Sequence, residues 1–155
     1  MKGSQKVLDV LNFLLADELT AISQYMVHAE MCDDWGYEKL AGAIEKRAKE
    51  EMKHAEKHIG RILFLEGKPI VSNLNKITIG PDVQTILKND HSAEAGAIKE
   101  YNKAIKLCTE EADNGTREIL EDTLTDEETH IDWIEAQLDQ IEQMGIQNYL
   151  VEQLG

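Results

Sequence analysis

The chain has 155 residues, 42% of them hydrophobic, with 30 acidic against 16 basic side chains and a formal net charge of −14 at pH 7. That length gives one domain, residues 1–155, and the acidity excludes direct nucleic-acid binding while suiting either attraction of cations or plain solubility. No apolar run is long enough for a membrane span or a secretion signal, and two cysteines are too few for a disulfide framework, so a cytoplasmic protein without a membrane partner is expected.

Only two prolines and ten glycines interrupt a composition rich in helix formers. The chain therefore reads as all-α. A first helix is predicted from about Ser4 to Asp34. Its apolar seam runs Leu8, Leu11, Leu15, Glu18, Ile22, Tyr25, Ala29, Cys32 in alternating steps of three and four, the pattern of a buried stripe. Glu18 interrupts that stripe, and a lone buried carboxylate is costly unless it is paired or binds a metal.

Asp33-Asp34-Trp35-Gly36 marks a turn, and a second helix follows to about Leu65. Its seam, Leu40, Ile44, Arg47, Glu51, His54, His58, Arg61, Leu65, is unusually polar in the middle. From Glu66 to Pro81 the periodicity breaks in a β-branched, polar stretch bounded by Gly67, Pro69, Gly80 and Pro81. Extended, such a segment can run back along a whole bundle, so it is expected to be a crossover. A third helix is predicted from near Asp82 to about Ala112, with seam Leu87, His91, Glu94, Ile98, Tyr101, Ile105, Cys108. Asp113-Asn114-Gly115 reads as a turn. A fourth helix follows from about Thr116 to Met144, on the seam Leu120, Thr123, Glu127, His130, Ile134, Gln137, Ile141. Gly145 should end it. Ile146 to Leu154 reads as a short fifth helix, packed at an end of the bundle or against another subunit.

Two short runs carry the chemistry. Glu51-Met52-Lys53-His54 and Glu127-Glu128-Thr129-His130 both read Glu-x-x-His, and they lie 76 residues apart. Residues three apart on a helix sit about 60° apart around its axis, so each run puts a carboxylate and an imidazole on one face. Glu18 and Glu94 share the 76-residue offset, each 33 residues ahead of its Glu-x-x-His, and Tyr25/Tyr101 and Cys32/Cys108 follow it too. One helical hairpin thus occurs twice. Four carboxylates and two imidazoles converging in a bundle form the ligand set of a two-metal site, and oxygen and nitrogen donors without thiolate suit iron or manganese over structural zinc. A buried polar network without metal would have to neutralise four glutamates with two histidines and Arg47 or Arg61. Tyr25 and Tyr101 either support the ligand carboxylates or act as core aromatics with a polar tip. Met52 is rotated about 100° from Glu51, away from His54, and so points outward, as an interface residue or as a soft ligand.

These residues give the chain a close resemblance, over nearly its whole length, to the bacterioferritins. It rests on Glu18, Tyr25, Glu51, Met52, His54, Glu94, Glu127, His130, the crossover and the short last helix. The resemblance implies a ferritin-like four-helix bundle and a hollow shell of twenty-four subunits. It implies a ferroxidase that oxidises Fe(II) with dioxygen or hydrogen peroxide and stores ferric mineral. By likeness Glu18 and Glu94 are terminal ligands, Glu51 and Glu127 bridge two iron ions per subunit, and His54 and His130 bind one each. The methionine at position 52 implies haem b, one per subunit dimer, serving electron transfer for iron release, with a small ferredoxin as partner. Asp34, Glu66, Asp132 and Asp139 fall where such shells line pores. Lys46 and Glu50 replace the histidine and aspartate that hold an inner-surface iron in some members, which places that site in question here. No Cys-x-x-Cys occurs, against a rubrerythrin-like peroxidase. A mini-ferritin would lack both intrachain Glu-x-x-His runs.

Overall fold

The computed structural model describes Met1 to Gly155 as five helices and no strand. They are α1 (Gln5–Asp34), α2 (Glu38–Phe64), α3 (Val83–Glu110), α4 (Asn114–Met144) and α5 (Ile146–Glu152). Hairpins α1–α2 and α3–α4 pack into a four-helix bundle, with α1 against α3 and α2 against α4. Glu18 meets Tyr101 while Tyr25 meets Glu94, so α1 and α3 run antiparallel, as the crossover requires.

The α1 stripe is buried as its spacing predicts, except that Ile22 is only partly covered. The α3 stripe shifts. His91, on the expected seam, faces Glu135 near the surface at 3.3 Å, and Ile98 and Ile105 are half-buried. Asp90 turns inward instead, because His28 Nδ1 (2.8 Å) and Gln24 Nε2 (2.9 Å) on α1 satisfy its carboxylate.

The crossover lies along α1 on a ladder of polar side chains. Asn12 accepts from the Ile70 N–H (2.9 Å), Thr20 Oγ1 from Asn75 (2.8 Å), Gln24 Oε1 from Thr78 (3.0 Å) and His28 Nε2 from Gly80 (3.1 Å). Gly80 is required there, since a Cβ would stand 2.5 Å from the Ile86 backbone nitrogen. The α3–α4 turn falls earlier than expected. Ala112 takes the left-handed conformation (φ 55°), and Asp113 caps α4 by accepting from the Thr116 N–H, which draws Asn114 and Gly115 into the first turn.

The core divides in two. One apolar cluster, with Leu11, Leu15, Leu65, Cys108 and Leu120, fills one half of the bundle. The other, with Ala29, Cys32, Leu40, Ile86, Ile141 and Tyr149, fills the opposite half. Cys32 and Cys108 are buried, free, and in different clusters. The last helix folds back inside the subunit, with Tyr149 buried and its hydroxyl donating to Gln137 at 2.8 Å. A polar layer fills the middle.

Candidate metal centre

Glu18, Glu51, His54, Glu94, Glu127 and His130, one or two from each long helix, meet in that layer, and none is more than 5% exposed. Ligand atoms of Glu18, Glu51, His54 and Glu127 lie within 4.8 Å of one another, and so do those of Glu51, Glu94, Glu127 and His130. The two groups share Glu51 and Glu127. Both imidazoles turn Nδ1 inward: His54 Nδ1 is 3.2 Å from Glu127, and His130 Nδ1 is 3.3 Å from Glu51. Glu18 Oε2, Glu51 Oε1, Glu94 Oε2, Glu127 Oε1 and His130 Nδ1 are buried without a hydrogen-bond partner. Such atoms are costly unless something binds them, and hard or borderline divalent cations fit this donor set.

The surrounding contacts cross between the repeats. Tyr25, on the helix of Glu18, donates to Glu94 (2.6 Å), and Tyr101, on the helix of Glu94, donates to Glu18. His54 Nε2 meets Asp126 at 2.9 Å, and His130 Nε2 meets Glu50. Glu50 and Asp126 are themselves 76 residues apart, each immediately before its Glu-x-x-His. That repeated acid was the legible signal for an outer carboxylate, and the reading of spacing alone passed over Asp126. Glu50, held by His130, stands as a support for an imidazole.

Two residues break the symmetry. His58 is buried and its Nε2 lies 2.6 Å from the Tyr101 oxygen. The Tyr101 proton goes to Glu18, so His58 Nε2–H donates to Tyr101. Burial pushes His58 down to about 4, which keeps it neutral. On the other side Arg47 Nη1 lies 3.9 Å from Glu94.

Burial, then the charge of Glu51, holds Glu18 well above the ordinary carboxylate range. Burial, then the contact with Glu127, does the same to Glu94, and burial also raises Glu51. Burial opposes ionisation of Glu127 too, but bonds from Glu94, His130 and His54 outweigh it and hold Glu127 well below that range. Burial disfavours a charged His54, yet Glu127, Glu18 and Glu51 prevail and raise it. Without cations the fold therefore favours the protonated forms of Glu18, Glu94 and His54.

A ferritin-like domain family model matches residues 8–144. The chain belongs to the ferritin-like family. A bacterioferritin of Rhodobacter capsulatus is 42% identical over 149 residues, which is 96% of this chain and 92% of that protein. A bacterioferritin of Brucella melitensis is 38% identical over 149 residues, again 96% and 92%. A bacterial ferritin of Synechocystis sp. is 41% identical over 155 residues, 99% of each chain. Iron storage is the function that goes with this ferritin-like membership, and the buried carboxylate–histidine cluster is where the chain can bind iron. No helix is long and apolar enough to cross a membrane.

Met52 stands apart from the centre. It is 49% exposed on the outer face of α2, the orientation its spacing predicts. Lys49 and Glu45, one and two turns before it, pair at 2.9 Å. Asp34, Glu66, Asp132 and Asp139 are all exposed. A groove of about 270 Å³ between α1 and α3 reaches Glu18 and Glu94 and carries Asp17 and Glu100 on its walls. Burial pushes Asp17 up to about 6.

Proposed function

We propose that the chain is a ferroxidase, oxidising Fe(II) at a di-iron centre within each subunit and storing the ferric product inside a shell of twenty-four copies in the cytoplasm. The observation that carries this reading is the set of unpartnered ligand atoms on Glu18, Glu51, Glu94, Glu127 and His130 in one buried layer. Fe(II) is the substrate, approaching from the acidic α1–α3 groove. One ion takes Glu18 and His54, the other Glu94 and His130, and Glu51 and Glu127 bridge them. Binding displaces the protons of Glu18 and Glu94. Each Fe(II) then gives one electron to dioxygen or hydrogen peroxide. Tyr101 and Tyr25 hold Glu18 and Glu94 in place through their hydroxyls, and neutral His58 fixes the Tyr101 proton on the Glu18 side.

Glu18→Ala or Glu127→Ala is expected to abolish the fast phase of Fe(II) oxidation in stopped-flow absorbance while the shell still assembles. Rapid oxidation persisting in both variants would remove this reading.

Met52 offers a soft thioether at the surface, and with the same residue of a second subunit it would hold a haem b. Haem held there would supply an electron-transfer centre, with a small ferredoxin as the reductant for iron release. Met52→Leu should give a haem-free protein that still oxidises Fe(II). A haem absorption band surviving in that variant would place the ligand elsewhere.

A further inference from the structure

The face of the centre opposite the α1–α3 groove opens into a second groove of about 510 Å³ between α2 and α4, and its charge is reversed. Lys46, Lys53 and Lys57 line it from α2. At 100° per residue these three fall within about 40° of one another, in a row roughly 16 Å long. Arg47 lies behind the row, with only 8% of its surface exposed. Its guanidinium stacks over Trp133 at 5.2 Å and gives one long bond to the His130 carbonyl at 3.4 Å, while its Nε–H has no partner. The groove holds two carboxylates, Glu50 and Asp126, and both are engaged by the imidazoles of His130 and His54. Three unpaired lysines, and Arg47 whose Nη1 also lies 3.9 Å from Glu94, thus face two occupied carboxylates in a chain whose net charge is −14. The lysines that pair with carboxylates are Lys49 and Lys103, and neither belongs to the row.

We propose that this α2–α4 groove binds oxyanions of the phosphate class, held by Lys46, Lys53 and Lys57 with Arg47 at its floor. A divalent cation would be repelled by the same walls. A tetrahedral oxyanion accepts several N–H bonds at once and meets the unpaired lysines and the buried guanidinium in kind. The site backs directly onto His54 and His130, so an anion seated there lies on the far side of the metal layer from the acidic approach. A ferric ion leaving the centre on that side would meet a bridging ligand. Phosphate binding stands on the charge and geometry of the groove and does not depend on the ferroxidase reading, because it is measured on iron-free protein.

The test is calorimetric titration of the assembled, iron-free protein with inorganic phosphate at low and moderate salt. Binding that weakens with salt is expected. In the triple variant Lys46→Gln, Lys53→Gln, Lys57→Gln it should weaken by about tenfold or more, the loss expected for charge-assisted hydrogen bonds. Removing three lysines from α3, at Lys88, Lys99 and Lys106, should leave it unchanged. Equal affinity in the groove variant, or an equal loss in the α3 variant, would overturn the assignment. AMP as a second titrant separates the sources: weaker binding of AMP assigns the groove to free phosphate, tighter binding to a phosphate ester, and binding of neither would overturn the proposal. The fast phase of Fe(II) oxidation should be kept in the groove variant, showing an intact fold. Should the triple variant not assemble, Lys46→Gln alone is titrated against the same criteria.

Discussion

Each imidazole of the centre is held from behind by a carboxylate of the opposite repeat, Asp126 for His54 and Glu50 for His130. That contact fixes which nitrogen faces inward and makes the ring a better donor. Asp126→Asn and Glu50→Gln should each weaken Zn(II) binding about 10- to 100-fold, measured by calorimetry on metal-free protein, with an exposed neighbour, Glu128→Gln, as the unchanged control. Affinity kept in both variants would mean that the outer carboxylates orient nothing. The two ion positions should also differ. Arg47 competes for Glu94 from 3.9 Å, whereas Glu18 accepts from neutral Tyr101, itself held by neutral His58. Zn(II) is expected to fill the Glu18–His54 position before the Glu94–His130 position, in two resolved steps. A single step of two equivalent ions would contradict this asymmetry.

At the scale of elements, the repeat made most of the bundle legible. Helix boundaries fall within a residue or two of the spacing, because Gly36, Gly145 and the prolines of the crossover stop helices locally. What spacing could not supply was pairing between polar side chains far apart in sequence. Asp90 faces inward because His28 and Gln24 wait for it across the bundle, and no apolar period announces that. The start of α4 lies two residues ahead of the spacing for a related reason, since Asp113 serves both as helix cap and as partner of Arg61 at 3.0 Å. His28 is the strongest rung of the crossover. Its Nε2 accepts from Gly80, which leaves Nδ1–H to donate to Asp90. His28→Ala leaves both groups buried and short of a partner, a cost of about 3 kcal/mol. Asn12→Ala, at an exposed rung, should cost well under half as much. Urea unfolding reads the difference, and limited proteolysis should cut residues 66–81 faster in the His28 variant. Equal stability of the two variants would show that the loop is not pinned at Gly80.

At the scale of the molecule, the middle layer interrupts two apolar clusters with four glutamates and two histidines, so metal-free stability depends on protons. Glu18 and Glu94 are raised in the fold, so between their ordinary and raised values the native state holds protons that the unfolded chain has released. His54 is raised as well, and its contribution is full below its ordinary 6.5 and lost above it. His58, lowered to about 4, acts the other way, but its contribution is complete above 6.5. Glu127, lowered in the fold, is ionised throughout that window. Above the ordinary histidine value of 6.5 and below the raised values of these groups, then, the native state binds more protons than the unfolded chain, and stability must fall as pH rises. Zn(II), which has no redox chemistry, takes the place of those protons and stabilises by mass action, more strongly as pH rises and proton competition fades. The melting temperature of chelator-treated protein should therefore drop across this window, and the increment given by saturating Zn(II) should grow across the same window. A melting temperature independent of pH without metal would show that these groups keep their ordinary protonation in the fold.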